Sequence, residues 1–231
     1  MWNRINLLIF SLFSCFCFAQ ENESQYTVDV NYYYGSILPH SEKIQHLITE
    51  HPEGIFISGN RKTFGDEEWE ARFNYPDYGL TFHYQNNKNE VLGDMFGLFA
   101  HYNFYFLKRN LQLRIGQGIA YNTNPYDKEE NYRNSAYGSH FMPASFFMAN
   151  FQKENIWEGL GIRTGLFLIH HSNGTIKTPN TSANTVGANI GIHYTFDHKY
   201  ERTYHPRTHQ DSTFTEPIRY NLAFRTGVHE S

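Results

Sequence analysis

Between Leu166 and Gly174 an apolar alternating run, Leu166-Phe167-Leu168-Ile169, ends in His170-His171-Ser172-Asn173-Gly174, and Pro179-Asn180 follows shortly after. His170 and Ser172 are two positions apart, so on a β-strand they fall on one side. An imidazole beside a hydroxyl is the minimum equipment for nucleophilic catalysis, with Ser172 as nucleophile and His170 as general base. The Asn173 side-chain amide or the Gly174 backbone N–H is placed to donate to the oxyanion of an acyl transfer. Ile169 and His171 have the opposite parity and read as wall residues. The His-x-Ser spacing alone is common at strand ends, so the elements around it must decide its meaning.

Those elements alternate with period two. Tyr26, Val28, Val30, Tyr32 and Tyr34 share one face of a first strand, and a weaker second strand covers Gly54 to Ser58. Tyr78 to Tyr84, Phe96 to Phe106 and Leu111 to Tyr121 repeat the pattern. A sixth strand runs from about Ser139 to Phe151 across Pro143, a seventh carries Leu160, Ile162, Leu166 and Leu168, and an eighth ends at Phe196. Ser41 to Thr49 reads as a short helical insert, and Arg61 to Tyr75 as a polar loop with acidic Asp66, Glu67 and Glu68. Several strands approach the length of a tilted membrane-spanning strand. Large apolar and aromatic residues on one parity, with glycine and small polar residues on the other, fit a narrow barrel in lipid. The fold expected is all-β: an antiparallel up-and-down transmembrane β-barrel of about eight strands. A secreted β-sandwich that binds glycans shares the alternation and stands as the soluble alternative.

Composition agrees with the barrel. The chain has 17 Tyr and 20 Phe, only 18% charged residues and a formal net charge of -4, which argues against a nucleic-acid partner. Residues 1–19 read as a signal peptide, with Arg4, an apolar run from Leu7 to Phe18 and a Cys17-Phe18-Ala19 cleavage site. Both cysteines, Cys15 and Cys17, fall inside it, so the mature chain has no disulfide and no thiolate chemistry. No cofactor is expected. The barrel is assigned to 20–196. The polar, His-rich stretch from Asp197 leads into a further alternating run, Ile218 to Phe224, read as an additional strand, either of a truncated chain or of an appended domain. His205 and His209 in that stretch lack a third ligand, so no metal site is assigned.

Connection lengths orient the barrel. Leu107 to Asn110 and Gln152 to Trp157 are short, as periplasmic turns should be, whereas Gly35 to Glu53, Asn122 to Gly138 and Asn173 to Asn184 are long, as extracellular loops should be. Arg61 to Pro76 breaks that rule. On this orientation the seventh strand ends at the extracellular side. His170 and Ser172 continue the parity of Ile162, Leu166 and Leu168, the lipid-facing one, so they meet membrane lipid of the outer leaflet.

His170-His171-Ser172-Asn173-Gly174 followed by Pro179-Asn180 resembles the signature of the outer-membrane lipid A 3-O-deacylases, the PagL-type enzymes often grouped under acyloxyacyl hydrolase. The resemblance is strongest over 166–180. It implies an eight-stranded outer-membrane barrel that removes the ester-linked acyl chain at the 3-position of lipid A, with lipopolysaccharide and outer-membrane lipids as partners. It also implies Ser172 as nucleophile, His170 as its base and Asn173 as an oxyanion contributor. In the family a glutamate beyond Pro-Asn orients the histidine; counting forward, that position here is Asn184, an amide. The departure leaves a second reading open, a catalytically weak structural or adhesive barrel.

Overall fold

The computed structural model describes residues 25–39, 41–174, 176–200, 202–206 and 220. The proposed signal peptide, His209 and nearly all of the additional strand lie outside these residues. Tyr220 is described, and it is not in a strand.

Eight antiparallel strands close into one barrel in chain order, with β8 pairing back onto β1. They are β1 (Tyr26–Leu38), β2 (Glu53–Arg61), β3 (Asp77–Asn86), β4 (Met95–Phe106), β5 (Leu111–Asn122), β6 (Phe141–Trp157), β7 (Leu160–His171) and β8 (Ala183–Thr195). Closure removes every edge, so each backbone ladder is satisfied inside the barrel, which is what a sheet in lipid requires. Among the described residues no helix is long and apolar enough to span a membrane. The outward parity is the apolar one expected: Val28, Val30, Tyr32, Leu80, Leu98, Ile115, Leu166 and Ile190 are all exposed.

The inward face differs from the expectation of glycine and small polar residues. At the end reached by β1 and β7 the interior is filled with rings and methionines: Tyr33, Phe56, Phe99, Phe146, Phe167, Met95 and Met148 are buried. Inward glycines make the room. A Cβ at Gly116 would run into the Phe146 ring, and one at Gly97 into Phe99. Towards the termini the interior turns polar around Asp29. Arg114 donates to both Asp29 oxygens (Nη2–Oδ2 2.7 Å, Nη1–Oδ1 3.0 Å), and Arg163 lies 3.3 Å from Oδ2. Asn31 and Asn60 donate to the same carboxylate, and Ser58 and Asn103 accept from Arg114. The cluster ties together β1, β2, β4, β5 and β7. Substituting Asp29 by alanine leaves two buried guanidinium groups uncompensated and is expected to cost about 3–5 kcal/mol of stability. The readout is the urea midpoint of the folded-to-unfolded gel mobility shift; an unchanged midpoint would remove the cluster from the account of stability.

Two further expectations are corrected. The segment from Gln152 to Trp157 is not a turn but the continuation of β6, with a register irregularity between Lys153 and Trp157; only Glu158 and Gly159 turn. Polar Gln152 misled because it faces the barrel interior, where it donates to Arg109 O (3.0 Å) and Glu154 Oε1 (3.0 Å). Pro143 is tolerated in β6 because the β6–β7 ladder begins only at Ala144. In the long 62–76 connection the acidic Asp66, Glu67 and Glu68 are exposed, as a solvated cluster should be, but the stretch is not irregular throughout. It contains the short helix α1 (Glu68–Arg72) and buries Phe64. Asp66 pairs with Arg202 (3.2 Å), and Tyr75 donates to the His205 carbonyl.

At the opposite end the connections form a cap. A 3-10 helix, Glu42–Leu47, replaces the expected helical insert and buries Ile44 and Leu47. Asn131 and Asn134 donate to the Val91 and Asn124 carbonyls, Ser135 to Lys43 O, and the Thr181 and Ser182 amides reach back to Ser135 and Ala136. The loop after β7 is thereby held by the β5–β6 connection, which is itself tied to the β1–β2 and β3–β4 connections.

Candidate active site

β7 delivers His170 to its last outward position, continuing Leu166 and Leu168, while Phe167, Ile169 and His171 are buried inside. His170 is paired directly across the β7–β8 ladder with Asn184, and the Nδ1–Oδ1 distance is 2.7 Å. With the amide oxygen as acceptor, the ring proton sits on Nδ1 and the lone pair on Nε2. Nε2 is then the basic atom.

Just beyond the strand, the Ser172 amide donates to Pro143 O (3.3 Å), which pins the chain against β6. Ser172 Oγ accepts from the Gly174 N–H (3.2 Å) and from Asn180 Nδ2 (3.1 Å). The first bond is the turn a serine makes with the amide two residues on, and Gly174 completes it at φ 63°, the left-handed conformation that glycine adopts without strain. Asn180 Oδ1 in turn accepts from the Asn173 N–H (3.1 Å). Both donors at Ser172 are therefore fixed by the loop itself. The Asn173 side chain is buried and turned into the loop, donating to Lys177 O (2.7 Å) and Ser139 Oγ (3.3 Å).

The structure thus joins His170 to Asn184, and Ser172 to Gly174 and Asn180. Among the described residues the His170 ring and the Ser172 hydroxyl share no hydrogen bond; catalytic pairs often close only around bound substrate. Asn180 is the hydrogen-bond partner of Ser172 that the sequence does not assign. Its signal was present in Pro179-Asn180, but nothing in the spacing gave the amide a task. Replacing Asn180 with alanine removes one donor from Ser172 Oγ and the brace on Asn173, and kcat is expected to fall by about 10²–10³, as for loss of one oxyanion donor. Steady-state ester hydrolysis by the folded variant measures it, and an unaltered kcat would make Asn180 a loop residue only. Of the two histidines set aside as a metal pair, His205 lies 3.6 Å from Asp66, and no cluster of metal-ligating side chains occurs among the described residues.

The family model for lipid A 3-O-deacylase (PagL) matches residues 53–193, which takes in β2 through most of β8 and every residue of this site. The chain belongs to the lipid A 3-O-deacylase family. A solved structure titled "Crystal structure of the outer membrane enzyme PagL" is 16% identical, covering 71% of this chain and 97% of that one with a TM-score of 0.43. A comparison with curated proteins gave no match. Family membership, the closed eight-stranded barrel and its apolar outer wall together make this an outer-membrane β-barrel of the lipid A deacylase family.

Proposed function

We propose that this chain is a serine esterase that removes the acyl chain at the 3-position of lipid A, working at the outer leaflet of the outer membrane. The observation that carries the reading is the outward placement of His170 at the loop end of β7, next to a serine whose oxygen already faces two N–H donors. A nucleophile on the outer wall meets an ester held in the bilayer, not one dissolved in water.

The steps follow from the atoms. Ser172 Oγ attacks the ester carbonyl and its proton passes to His170 Nε2. The carbonyl oxygen, now negative, takes the Gly174 N–H and the Asn180 amide as donors. Asn173 contributes by holding Asn180. The tetrahedral intermediate collapses, His170 returns its proton to the departing sugar hydroxyl, and the acyl group is left on Ser172. Water, activated by His170, then releases the fatty acid. Asn184 keeps the ring proton on Nδ1 throughout. No cofactor enters these steps.

Incubating the folded barrel with lipopolysaccharide and weighing the lipid A by mass spectrometry tests the reading. The expected product has lost one ester-linked acyl group at the 3-position, with the matching free fatty acid released. Unaltered lipid A would instead support the weak, structural barrel, the reading favoured by the amide at Asn184.

A further inference from the structure

The outer wall carries a second feature far from the active site. Two lateral rows of outward residues run across β6, β7, β8 and β1: Lys153–Ile162–Ile192–Val30, and above it Phe151–Thr164–Ile190–Tyr32. Between the large side chains of the upper row the short Thr164 leaves a dip. Its hydroxyl is spent on Asn189 O (2.9 Å), so the methyl lines the surface. The two rows bound a groove of about 570 Å³.

Thr164 lies six residues before His170, which is about 20 Å along the strand. With a strand tilt of about 35–45°, that is roughly half the apolar band of such a barrel. The groove therefore belongs to the leaflet on the side of the chain termini, away from the leaflet that the active site meets. A void in this surface cannot stay empty in a bilayer, because its lining would lose its van der Waals partners. An apolar groove alone does not select among hydrocarbon chains, since lipid tails are as apolar as the protein wall. The selecting group is Lys153. It is exposed on the lipid-facing parity at the lower margin of the groove, and among the described residues no carboxylate pairs with it. A lysine on that wall is stabilised by reaching the interface and an anion there.

We propose that the β6–β7–β8–β1 groove is a binding site for one anionic glycerophospholipid of the leaflet opposite the active site, an acyl chain lying over Thr164 and the headgroup phosphate on Lys153 Nζ. The site does not depend on the hydrolytic reading, because neither residue touches the chemistry.

The test is native mass spectrometry of the detergent-extracted full barrel titrated with dioleoyl phosphatidylglycerol. The wild type is expected to retain one lipid. Lys153→Gln weakens retention about fivefold, the effect of one interfacial lysine. Thr164→Trp, which fills the dip, is expected to abolish it, and if that variant does not fold, Ile190→Trp serves in its place. Gel mobility reports folding of each variant. No retained lipid in the wild type overturns the proposal, as does equal retention in wild type and both variants. Displacement by lipid A, but not by excess phosphatidylglycerol, would assign the groove to a substrate tail and overturn it too.

Discussion

Substituting Ser172 by alanine is expected to bring fatty-acid release from lipopolysaccharide down to background while leaving the barrel folded. Removal of a serine nucleophile from a hydrolase that works through an acyl-enzyme costs of order 10⁴-fold or more in kcat, since the remaining donors and base have no oxygen to act through. The fold should not notice. Ser172 lies beyond the last pair of β7, its side chain is half-buried, and its Oγ only accepts hydrogen bonds, from Gly174 and Asn180. Gas chromatography of released acid, with the gel mobility shift as the folding control, separates the two effects. Release at the wild-type rate from the folded alanine variant would remove Ser172 from the mechanism.

The second large effect is a gain. In Asn184→Asp an oxygen already stands 2.7 Å from His170 Nδ1, so a carboxylate is introduced with no change in side-chain length. The amide and the carboxylate both hold the ring proton on Nδ1, but only the carboxylate stabilises the imidazolium formed when Ser172 gives up its proton. The expected rise in kcat is at least about tenfold, with about 10⁴-fold as the ceiling set by losing both charge and tautomer in a serine triad. Asn184→Glu carries the same charge on a longer chain and must refit the cross-strand geometry, so it should gain less. If Asn184→Asp leaves kcat where it is, the imidazolium is stabilised by something other than this position.

The outward surface was the most legible part of the chain, because each lipid-facing position alternates with an inward one and a one-residue slip would invert every strand. Val28, Leu98, Ile115 and Ile190 could be placed from parity alone. What parity could not supply was the identity of inward partners. Asp29 falls on the polar face of β1 in the sequence, yet nothing in it points to Arg114 and Arg163, which come from β5 and β7 and meet it across the lumen. The large inward rings were hidden for a related reason. Phe56 and Phe167 have the same chemistry as lipid-facing residues, and only their register and their glycine neighbours turn them inward. The end of β6 was lost to polarity, since Gln152 is polar for the interior rather than for a turn. At the site, residue types and spacing offered His170 and Ser172 only as candidates, and it was the longer pattern through Pro179-Asn180 that carried the family resemblance. The role of Asn180 depends on the loop folding back so that one amide faces both Asn173 and Ser172, a closure that spacing does not encode.

The filled lumen also fixes the cross-section of the barrel. The interior is filled by rings and methionines at one end and by the Asp29–Arg114–Arg163 cluster towards the other. Side chains that meet across the lumen link strands that are not neighbours in the sheet, Asp29 of β1 with Arg114 of β5, so the wall cannot flatten without breaking them.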